Sequence, residues 1–288
     1  MLRNSPSVSL TSTLTLTYPQ LADLWARSFM GYPVTLPRTA AALEARVRTE
    51  SIDLDVSRVV KQGGENIGLA LIARRGWNAR VAAFAILPDA RGGGVGLKVM
   101  RQVLGESRER GERWMTLEVI EQNEPAVSLY RKLGFAQKRR LFGYRRAPLP
   151  ATAGSHDADL TEIDPLEFAR LATRHGVPDL PWQLSGETLS NITPPAIAYS
   201  LDGYAFALLT GLDDAAITVR AFVVPPAFQR QGWGNALAQA LFTRFPRREW
   251  RVPFVVPEGM PARFFESIGF EPETMNQLEM TLDLAKAL

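Results

Sequence analysis

The spacing of apolar residues predicts an alternation of helices and strands in the first half of the chain. Helices are expected where apolar side chains recur every three or four residues, and strands where short apolar runs lie between turn formers. In 95–110, Val95, Val99, Met100, Val103 and Leu104 form one apolar helical face. The predicted helices are 21–29, 39–50, 95–110 and 125–133, and the predicted strands are 55–61, 66–74, 80–87, 114–119, 135–138 and 141–146.

The second half repeats this order of elements after a segment without periodicity. Residues 148–157 are rich in turn formers and are predicted to be a linker. A later helix carries Trp233, Leu237, Leu241 and Phe245 at intervals of four. The other predicted elements are a helix at 166–173, strands at 196–200, 204–210 and 215–224, and three segments at 250–256, 261–268 and 275–284 that complete the repeat.

A glycine motif follows an apolar strand in each half. Arg91, Gly94 and Gly96 form an RxxGxG motif where the helix at 95–110 begins. Glycines let the backbone approach a ligand, and the free N–H groups of a first helical turn favour a phosphate or pyrophosphate. A looser copy consists of Gln229, Gly232 and Gly234. Such a short motif is weak by itself, so the residues downstream must decide its meaning.

A second motif, NxxAxxLYxKxGF, occupies residues 123–135 and follows the strand at 114–119. Together the two motifs resemble the GNAT family of acyl-CoA N-acyltransferases over residues from about 55 to 146. The resemblance implies that the glycine loop holds the pyrophosphate of coenzyme A. It also implies that Asn123 and Tyr130 lie beside the thioester. The cofactor-binding residues implied in this way are Ile86, Leu87, Arg91, Gly92, Gly93, Gly94, Val95, Gly96, Leu97, Asn123 and Tyr130.

The distances between motifs indicate an internal duplication. The glycine motifs are offset by 138 residues, from Arg91 to Gln229, and the later motifs by 135, from Gly134 to Gly269. We therefore expect an α/β (α+β) protein with two tandem GNAT-fold domains, at 1–150 and 151–288. Each domain is expected to contain a mixed, mostly antiparallel sheet flanked by helices, with the cofactor and catalytic motifs intact in the first.

Acetyl transfer from acetyl-CoA to a primary amine needs an oxyanion donor, a base and a proton for the leaving thiolate. In the family the strand before the glycine loop splays from its neighbour, so the backbone of Ala85, Ile86 and Leu87 is expected to bind the pantetheine arm and the oxyanion. Tyr130 matches the family's acid. The alternative for Tyr130 is a helix residue packed on the sheet, and Asn123 could cap that helix, contact the cofactor, or do both.

Glu118 is the predicted base. Strand alternation points Leu117 and Val119 to one face and Glu118 to the other. The triplet resembles that of GNAT members that acetylate protein N-termini, where this Glu deprotonates the amine directly or through water. The alternative is a paired or solvated carboxylate. Glu121 and Glu124 are nearby alternatives, although both fall where a loop is expected.

The second half has lost these three groups. With the offset of 135, Glu118, Asn123 and Tyr130 correspond to Pro253, Glu258 and Phe265. The second domain is therefore expected to be catalytically degenerate. Gln229, Gly232 and Gly234 remain a possible second cofactor site, unless those glycines are kept for packing. The large aromatic residues Trp182, Trp233, Phe264 and Phe265 are expected in the core.

Composition excludes several kinds of site. The chain of 288 residues has no Cys, which excludes disulfides, cysteine nucleophiles and thiolate metal sites. The chain has only two His residues, His156 and His175, so neither a His-based metal site nor an imidazole base is expected. Both His residues are expected on a polar surface. Neither a signal peptide nor a membrane span is evident, so a cytoplasmic protein is expected.

The two halves carry opposite net charges. Residues 1–150 contain 23 Lys and Arg against 13 Asp and Glu, a net charge of +10, whereas residues 151–288 contain 10 against 17, a net charge of −7. A positive first half suits a polyanionic cofactor, and opposite signs favour packing of the two domains on each other. The alternative is a set of solvated faces. No membrane partner is expected.

The acceptor is left open between a small amine and a peptide N-terminus. Phe29, Tyr32 and Trp77 lie on segments that flank the acceptor cleft in the family, although each could instead pack in the core or a loop. A coenzyme A-binding regulatory protein without turnover is the alternative function. Nucleic-acid binding ranks last, because the acidic second half would repel phosphates; its candidate residues are Lys138, Arg139, Arg140, Arg145 and Arg146.

Overall fold

The computed structural model describes residues 7–32, 39–148, 160–260 and 262–286. The strands are β1 (Val8–Ser12), β2 (Arg58–Gln62), β3 (Glu65–Arg75), β4 (Asn78–Ile86), β5 (Trp114–Ile120), β6 (Ala136–Arg146), β7 (Leu160–Ile163), β8 (Ile197–Leu201), β9 (Ala205–Thr210), β10 (Ala216–Val223), β11 (Glu249–Pro257) and β12 (Glu271–Asp283). The helices are α1 (Tyr18–Ser28), α2 (Ala40–Thr49), α3 (Val95–Glu109), α4 (Glu124–Lys132), α5 (Pro165–His175), α6 (Gly186–Ser190), α7 (Trp233–Arg244) and α8 (Ala262–Ser267).

The chain forms two compact units. Unit 1 comprises Met1–Lys138 and Leu278–Leu288, and unit 2 comprises Arg139–Gln277. The change of unit thus falls within β6 and within β12, whereas the domains expected from sequence were 1–150 and 151–288. The physical reason is that a strand joins the sheet whose core its side chains complete, which sequence neighbourhood alone does not reveal. Residues 149–157 of the predicted linker lie outside the described residues, as does His156.

Unit 1 contains a mixed sheet that is mostly antiparallel. β1 to β4 follow one another as antiparallel neighbours, β5 lies parallel to β4, and residues 278–283 of β12 lie next to β5. Apolar residues of α3 and α4 pack on this sheet. The core includes Val99, Met100, Leu117 and Val127, together with four residues near the end of the chain: Leu278, Met280, Leu282 and Leu284.

Unit 2 repeats this arrangement. β7, β8, β9 and β10 are antiparallel neighbours, β11 lies parallel to β10, and residues 139–146 of β6 pair antiparallel with β11. Leu237 and Leu241 of α7 are buried against this sheet with Trp250. The predicted α/β fold, with a mostly antiparallel sheet in each half, is therefore confirmed.

Several elements differ from those expected. The short strands β1 and β7 and the short helix α6 were not predicted, because four or five residues are too few to establish a periodic apolar pattern. The two strands predicted at 135–138 and 141–146 form the single strand β6. Among the described residues, no helix combines the length and apolarity that crossing a membrane requires.

Candidate functional site

The strands β4 and β5 diverge in front of the glycine loop. Their pairing runs from Asn78 with Trp114 to Val81 with Leu117 and ends there, although β4 continues to Ile86. On its other edge, β4 pairs Val81 with Ile72 and Ala83 with Leu71, so Ala82 is an extra, bulged residue. A bulge bends the strand that carries it. Unit 1 thus has the splayed strands expected from the family resemblance.

The hydrogen-bond register shows which backbone groups of β4 face this gap. The N–H of Leu87 donates to the carbonyl of Ile67 at 2.7 Å, which makes Leu87 and Ala85 face β3. By alternation, the N–H groups of Phe84 and Ile86 face the β5 side. Of the three residues, Ile86 therefore presents its N–H group to the gap, whereas the N–H groups of Ala85 and Leu87 face β3. Cofactor binding by this strand end stays a prediction.

The glycine loop adopts a conformation that requires glycine. Gly92, Gly93 and Gly94 have φ angles of 85°, 54° and 77°, in the left-handed region. Nothing lies within 4 Å of the position that a Cβ would take at these residues, so the loop surface is open. Among the described residues, the N–H groups of these glycines have no hydrogen-bond partner. The loop therefore offers free amides directly before α3.

Arg91 supports the loop from within. Its Nε donates to the carbonyl of Ile86 at 2.9 Å, and its Nη2 donates to the carbonyl of Ser28 at 3.1 Å. The side chain is thus directed at the protein backbone, and its role in holding the cofactor stays a prediction. Gly96 lies close to Leu129 of α4 and Phe84 of β4, which suits a small residue at this helix start.

Glu118 lies in a chain of buried charges that sequence reasoning did not find. Its carboxylate accepts hydrogen bonds from Nε of Arg80 at 2.8 Å and from Nη2 at 2.6 Å. Arg80 also donates to Glu50 at 2.7 Å, and Glu50 lies 3.1 Å from Arg46. The structure thus shows the paired alternative for Glu118. The available signal was Arg80 itself, a charged residue inside an apolar strand.

The charges of this chain compensate one another. The side chain of Arg80 is only 2% exposed and that of Glu118 only 5%. Burial disfavours the charged form of Arg80, but the carboxylates of Glu118 and Glu50 outweigh it and raise the pKa of Arg80.

Tyr130 is buried on α4. Its ring packs edge-on against Phe135, with centroids 5.8 Å apart. Burial, and secondarily the nearby phenol of Tyr32, raise the pKa of Tyr130 above its usual value. Burial also raises the pKa of Tyr32, an effect that the charge of Arg46 opposes. Two phenols and one guanidinium therefore lie near one another.

Asn123 caps α4. Its side-chain oxygen accepts a hydrogen bond from the N–H of Ala126 at 3.4 Å, at the first turn of the helix. This is one of the two roles expected for Asn123. Glu121 and Glu124 lie in a separate shallow depression with Arg131 and Lys132.

Two of the three expected acceptor residues lie together. Phe29 and Tyr32 pack edge-on with centroids 5.3 Å apart, just after α1. Trp77 lies elsewhere, because it precedes β4 and so occupies the end of that strand opposite the glycine loop. It is 61% exposed, with the guanidinium of Arg113 3.4 Å from its ring centre. The suggestion that Trp77 lines the cleft was therefore wrong.

The basic residues considered for nucleic-acid binding are engaged within the protein. Lys138, Arg139, Arg140 and Arg145 lie within 4 Å of Glu279, Asp179, Glu258 and Glu271, respectively. The guanidinium of Arg146 is buried 3.7 Å from the ring centre of Phe242. Four of these five residues thus have a carboxylate within 4 Å, and Arg146 contacts an aromatic ring.

Unit 2 has the same diverging strands and loop as unit 1, but it lacks counterparts of Glu118, Asn123 and Tyr130. The pairing of β10 with β11 ends at Thr218 and Arg251, and Arg220 is bulged in β10, as Ala82 is in β4. Gln229 donates to the carbonyl of Val224 at 2.9 Å, as Arg91 does to Ile86. Gly232 has a φ of 90°, and Gly234 lies against Phe264. The second cofactor site at Gln229, Gly232 and Gly234 stays a prediction.

The residues of unit 1 fit the phosphate and amide groups of coenzyme A. Free glycine amides before a helix suit a diphosphate, and the unpaired edge of β4 suits an amide-containing chain. Acetyl-CoA would supply an activated acyl group and a thiolate leaving group. Ile86 would be the backbone donor nearest the loop.

Comparison with known proteins agrees with this geometry. Residues 19–135 match the acetyltransferase (GNAT) family. A streptothricin acetyltransferase from Streptomyces lavendulae is 36% identical over 91 residues, which are 30% of this chain and 48% of that protein. An N-alpha-acetyltransferase 30 from Schizosaccharomyces pombe is 36% identical over 64 residues, or 22% of this chain and 43% of that protein. The chain thus spans less than half the length of these relatives.

A solved structure also has a fold similar to that of nearly the whole chain. A tandem GNAT protein from the clavulanic acid biosynthesis pathway superposes with a TM-score of 0.68 at 15% identity, covering 96% of this chain and 99% of the other. At this identity the similarity concerns the fold alone. Residues 19–135, which contain both motifs, are thus similar to the acetyltransferase (GNAT) family.

Proposed function

We propose that unit 1 transfers an acetyl group from acetyl-CoA to a primary amine by direct attack on the thioester. The observation that carries this proposal is the gap between β4 and β5, which begins after Val81 and Leu117 and leads to the glycine loop. This gap exposes backbone donors and acceptors beside the free N–H groups of the glycine loop. A diphosphate at Gly92–Gly94 would direct the rest of the cofactor along β4.

The chemical step forms a bond between the amine nitrogen and the acyl carbon and breaks the bond between that carbon and sulfur. In the proposal, the N–H of Ile86 donates to the oxyanion, and Glu118 accepts the proton that the amine loses. Tyr130 donates its proton to the departing sulfur. Its raised pKa keeps the phenol protonated at neutral pH but makes it a weaker acid, so donation has to be concerted with departure of the sulfur.

Glu118 requires a specific test, because Arg80 already holds its carboxylate. Removing the charge in Glu118→Gln abolishes a base, whereas Glu50→Gln perturbs the same charge chain without removing the proposed base. We expect Glu118→Gln to lower kcat by about 100-fold or more and Glu50→Gln to lower it far less. Equal losses would assign Glu118 a structural role.

Acetyl transfer by this protein can be measured directly through the thiol of the coenzyme A that is released. The chain has no Cys, so a thiol reagent detects only the coenzyme A that turnover releases. Wild type, Glu118→Gln and Tyr130→Phe would be assayed with acetyl-CoA and a panel of primary amines. Equal rates in all three would contradict the proposed roles of both residues.

The acceptor is proposed to be a small-molecule amine or a peptide N-terminus. The two relatives are named for acetylation of streptothricin and of N-alpha amines, so both acceptor classes belong in the panel. Phe29 and Tyr32 are the proposed aromatic contacts.

A second candidate function is coenzyme A binding without turnover. The hydrogen bonds between Arg80 and Glu118 favour it, because they engage the carboxylate of the proposed base. Tight binding of coenzyme A with no thiol release from any amine tested would support this function.

A further inference from the structure

Unit 2 contains a cavity of about 570 Å³ between its diverging strands. The wall combines residues of β10 and β11 beyond their last paired positions with residues of the segment after α5. This volume is typical of pockets that bury a small organic ligand. Apolar side chains form most of the wall, among them Leu180, Leu184, Val219, Val256 and Met260.

Three aromatic rings form one side of the cavity. Phe222 and Phe264 pack edge-on with centroids 5.5 Å apart, and Phe264 and Phe265 are 5.4 Å apart. The offsets of the duplication relate Phe264 and Phe265 to Leu129 and Tyr130. The sequence predicted both aromatic residues in the core, and they pack against the core of unit 2 while also lining this cavity. The cavity thus has a larger aromatic wall than the equivalent positions of unit 1 supply, and no phenol there.

The loop of unit 2 differs from that of unit 1 in charge and in openness. Arg230 takes the place of Gly92 and keeps a left-handed backbone, with a φ of 61°. Gln231 takes the place of Gly93. Side chains at these positions stop a diphosphate from reaching the backbone as closely as three glycines allow. Arg230 and Arg220 are both among the residues that line the cavity.

We propose that this cavity binds an apolar organic carboxylate, with its apolar body against the aromatic wall and its anionic group near Arg230. The walls supply the buried apolar area that drives such binding, and the arginines select a negative charge. A polyanion with a diphosphate is disfavoured, because the loop has lost two of its three consecutive glycines. Binding here needs no turnover, since Pro253, Glu258 and Phe265 occupy the catalytic positions.

The test uses decanoate as the carboxylate and anilinonaphthalene sulfonate as a fluorescent apolar anion on the full chain. Fluorescence titration should show saturable binding of the dye and its displacement by decanoate. Arg230→Gly removes the charge and suits the left-handed backbone, so it should fold at least as well as wild type. We expect it to weaken decanoate binding about fivefold.

Arg247→Gly is the matched control. Arg247 also has a left-handed backbone, with a φ of 58°, and it is exposed and does not line the cavity. This variant should bind decanoate as wild type does. Leu184→Trp adds side-chain volume to the cavity wall and should reduce dye binding at least tenfold, a change of about 1.4 kcal/mol in binding free energy. Far-UV circular dichroism and the thermal midpoint establish that each variant is folded.

Three results would overturn the proposal. The first is absence of saturable dye binding, and the second is equal weakening by Arg230→Gly and Arg247→Gly. The third is displacement of the dye by coenzyme A but not by decanoate, which would assign the cavity to the cofactor. None of these measurements depends on acetyl transfer, so they remain distinct from a failure of the proposed function.

Discussion

Arg80 and Glu118 form a buried ion pair in which both oxygens of one carboxylate accept hydrogen bonds from one guanidinium. Glu50 completes the neutralisation of Arg80 on its other side. The pair joins the paired part of β4 to the point where β5 leaves it. It thus lies at the start of the gap on which the proposed function depends.

Removing Arg80 should destabilise unit 1 strongly. Arg80→Met leaves the buried carboxylate of Glu118 without its cation and leaves Glu50 with Arg46, so we expect the free energy of unfolding to fall by about 3–5 kcal/mol. Urea unfolding of the purified protein measures this change. The control is Arg27→Met, which breaks an ion pair with Asp23 whose side chains are 47% and 64% exposed. That change should cost less than about 1 kcal/mol, and similar losses would contradict a special role for Arg80.

Glycine at the first loop should be needed for its backbone conformation. Gly93→Ala has space for a methyl group but puts it on a residue with a φ of 54°. We expect a loss of about 1 kcal/mol in stability and about tenfold weaker coenzyme A binding, measured by calorimetry.

Gly105→Ala is the matched control for this loop. Gly105 lies inside α3, also with space for a methyl group, so alanine should raise stability by about 0.5–1 kcal/mol. Coenzyme A binding should stay unchanged. Unaltered binding in Gly93→Ala as well would show that the loop does not hold the cofactor.

Asn123 should act first as a helix cap. Asn123→Ala removes the acceptor for the N–H of Ala126 and should lower the free energy of unfolding by about 1 kcal/mol. Asn123→Ser keeps a capping oxygen and should restore most of this stability. If Asn123 also contacts the cofactor, both variants will raise the KM for acetyl-CoA, whereas a role confined to capping leaves KM unchanged in the serine variant.

Tyr130 should couple stability to alkaline pH. A phenol whose pKa is raised on folding keeps its proton after the unfolded chain has lost it. Its contribution to stability is therefore complete below about pH 10 and is lost as the pH rises toward the pKa in the folded state. Above about pH 10, the stability of wild type should fall by up to about 1.4 kcal/mol per pH unit more than that of Tyr130→Phe. Parallel pH profiles in urea unfolding would contradict the raised pKa.

Local patterns predicted the parts of the fold that depend on neighbouring residues. The stripe of apolar residues predicted a helix at 95–110, and α3 spans Val95–Glu109. The glycine motif predicted a loop whose backbone a ligand can approach, and at Gly92–Gly94 nothing lies within 4 Å of a Cβ position. The framework of the first site was therefore readable, because helix starts and left-handed turns are set within a few residues.

Contacts between segments that are distant in the sequence could not be predicted from the sequence. Arg80 meets Glu50 and Glu118, which are 30 and 38 residues away, and the placement of β4, β5 and the end of α2 decides that meeting. The bulge at Ala82 likewise depends on how β3 and β4 align. A single sequence contains no signal for a one-residue shift in pairing, so the partner of Glu118 could only come from the structure.

The four apolar residues Leu278, Met280, Leu282 and Leu284 lie in the core of unit 1, although they come from the far end of the chain. A fragment cut at residue 150 would lack them all, at a cost of roughly 1.5–3 kcal/mol for each buried side chain. Duplicated sequence therefore does not mean separable parts here. During synthesis, the core of unit 1 therefore stays incomplete until residues 278–284 have left the ribosome.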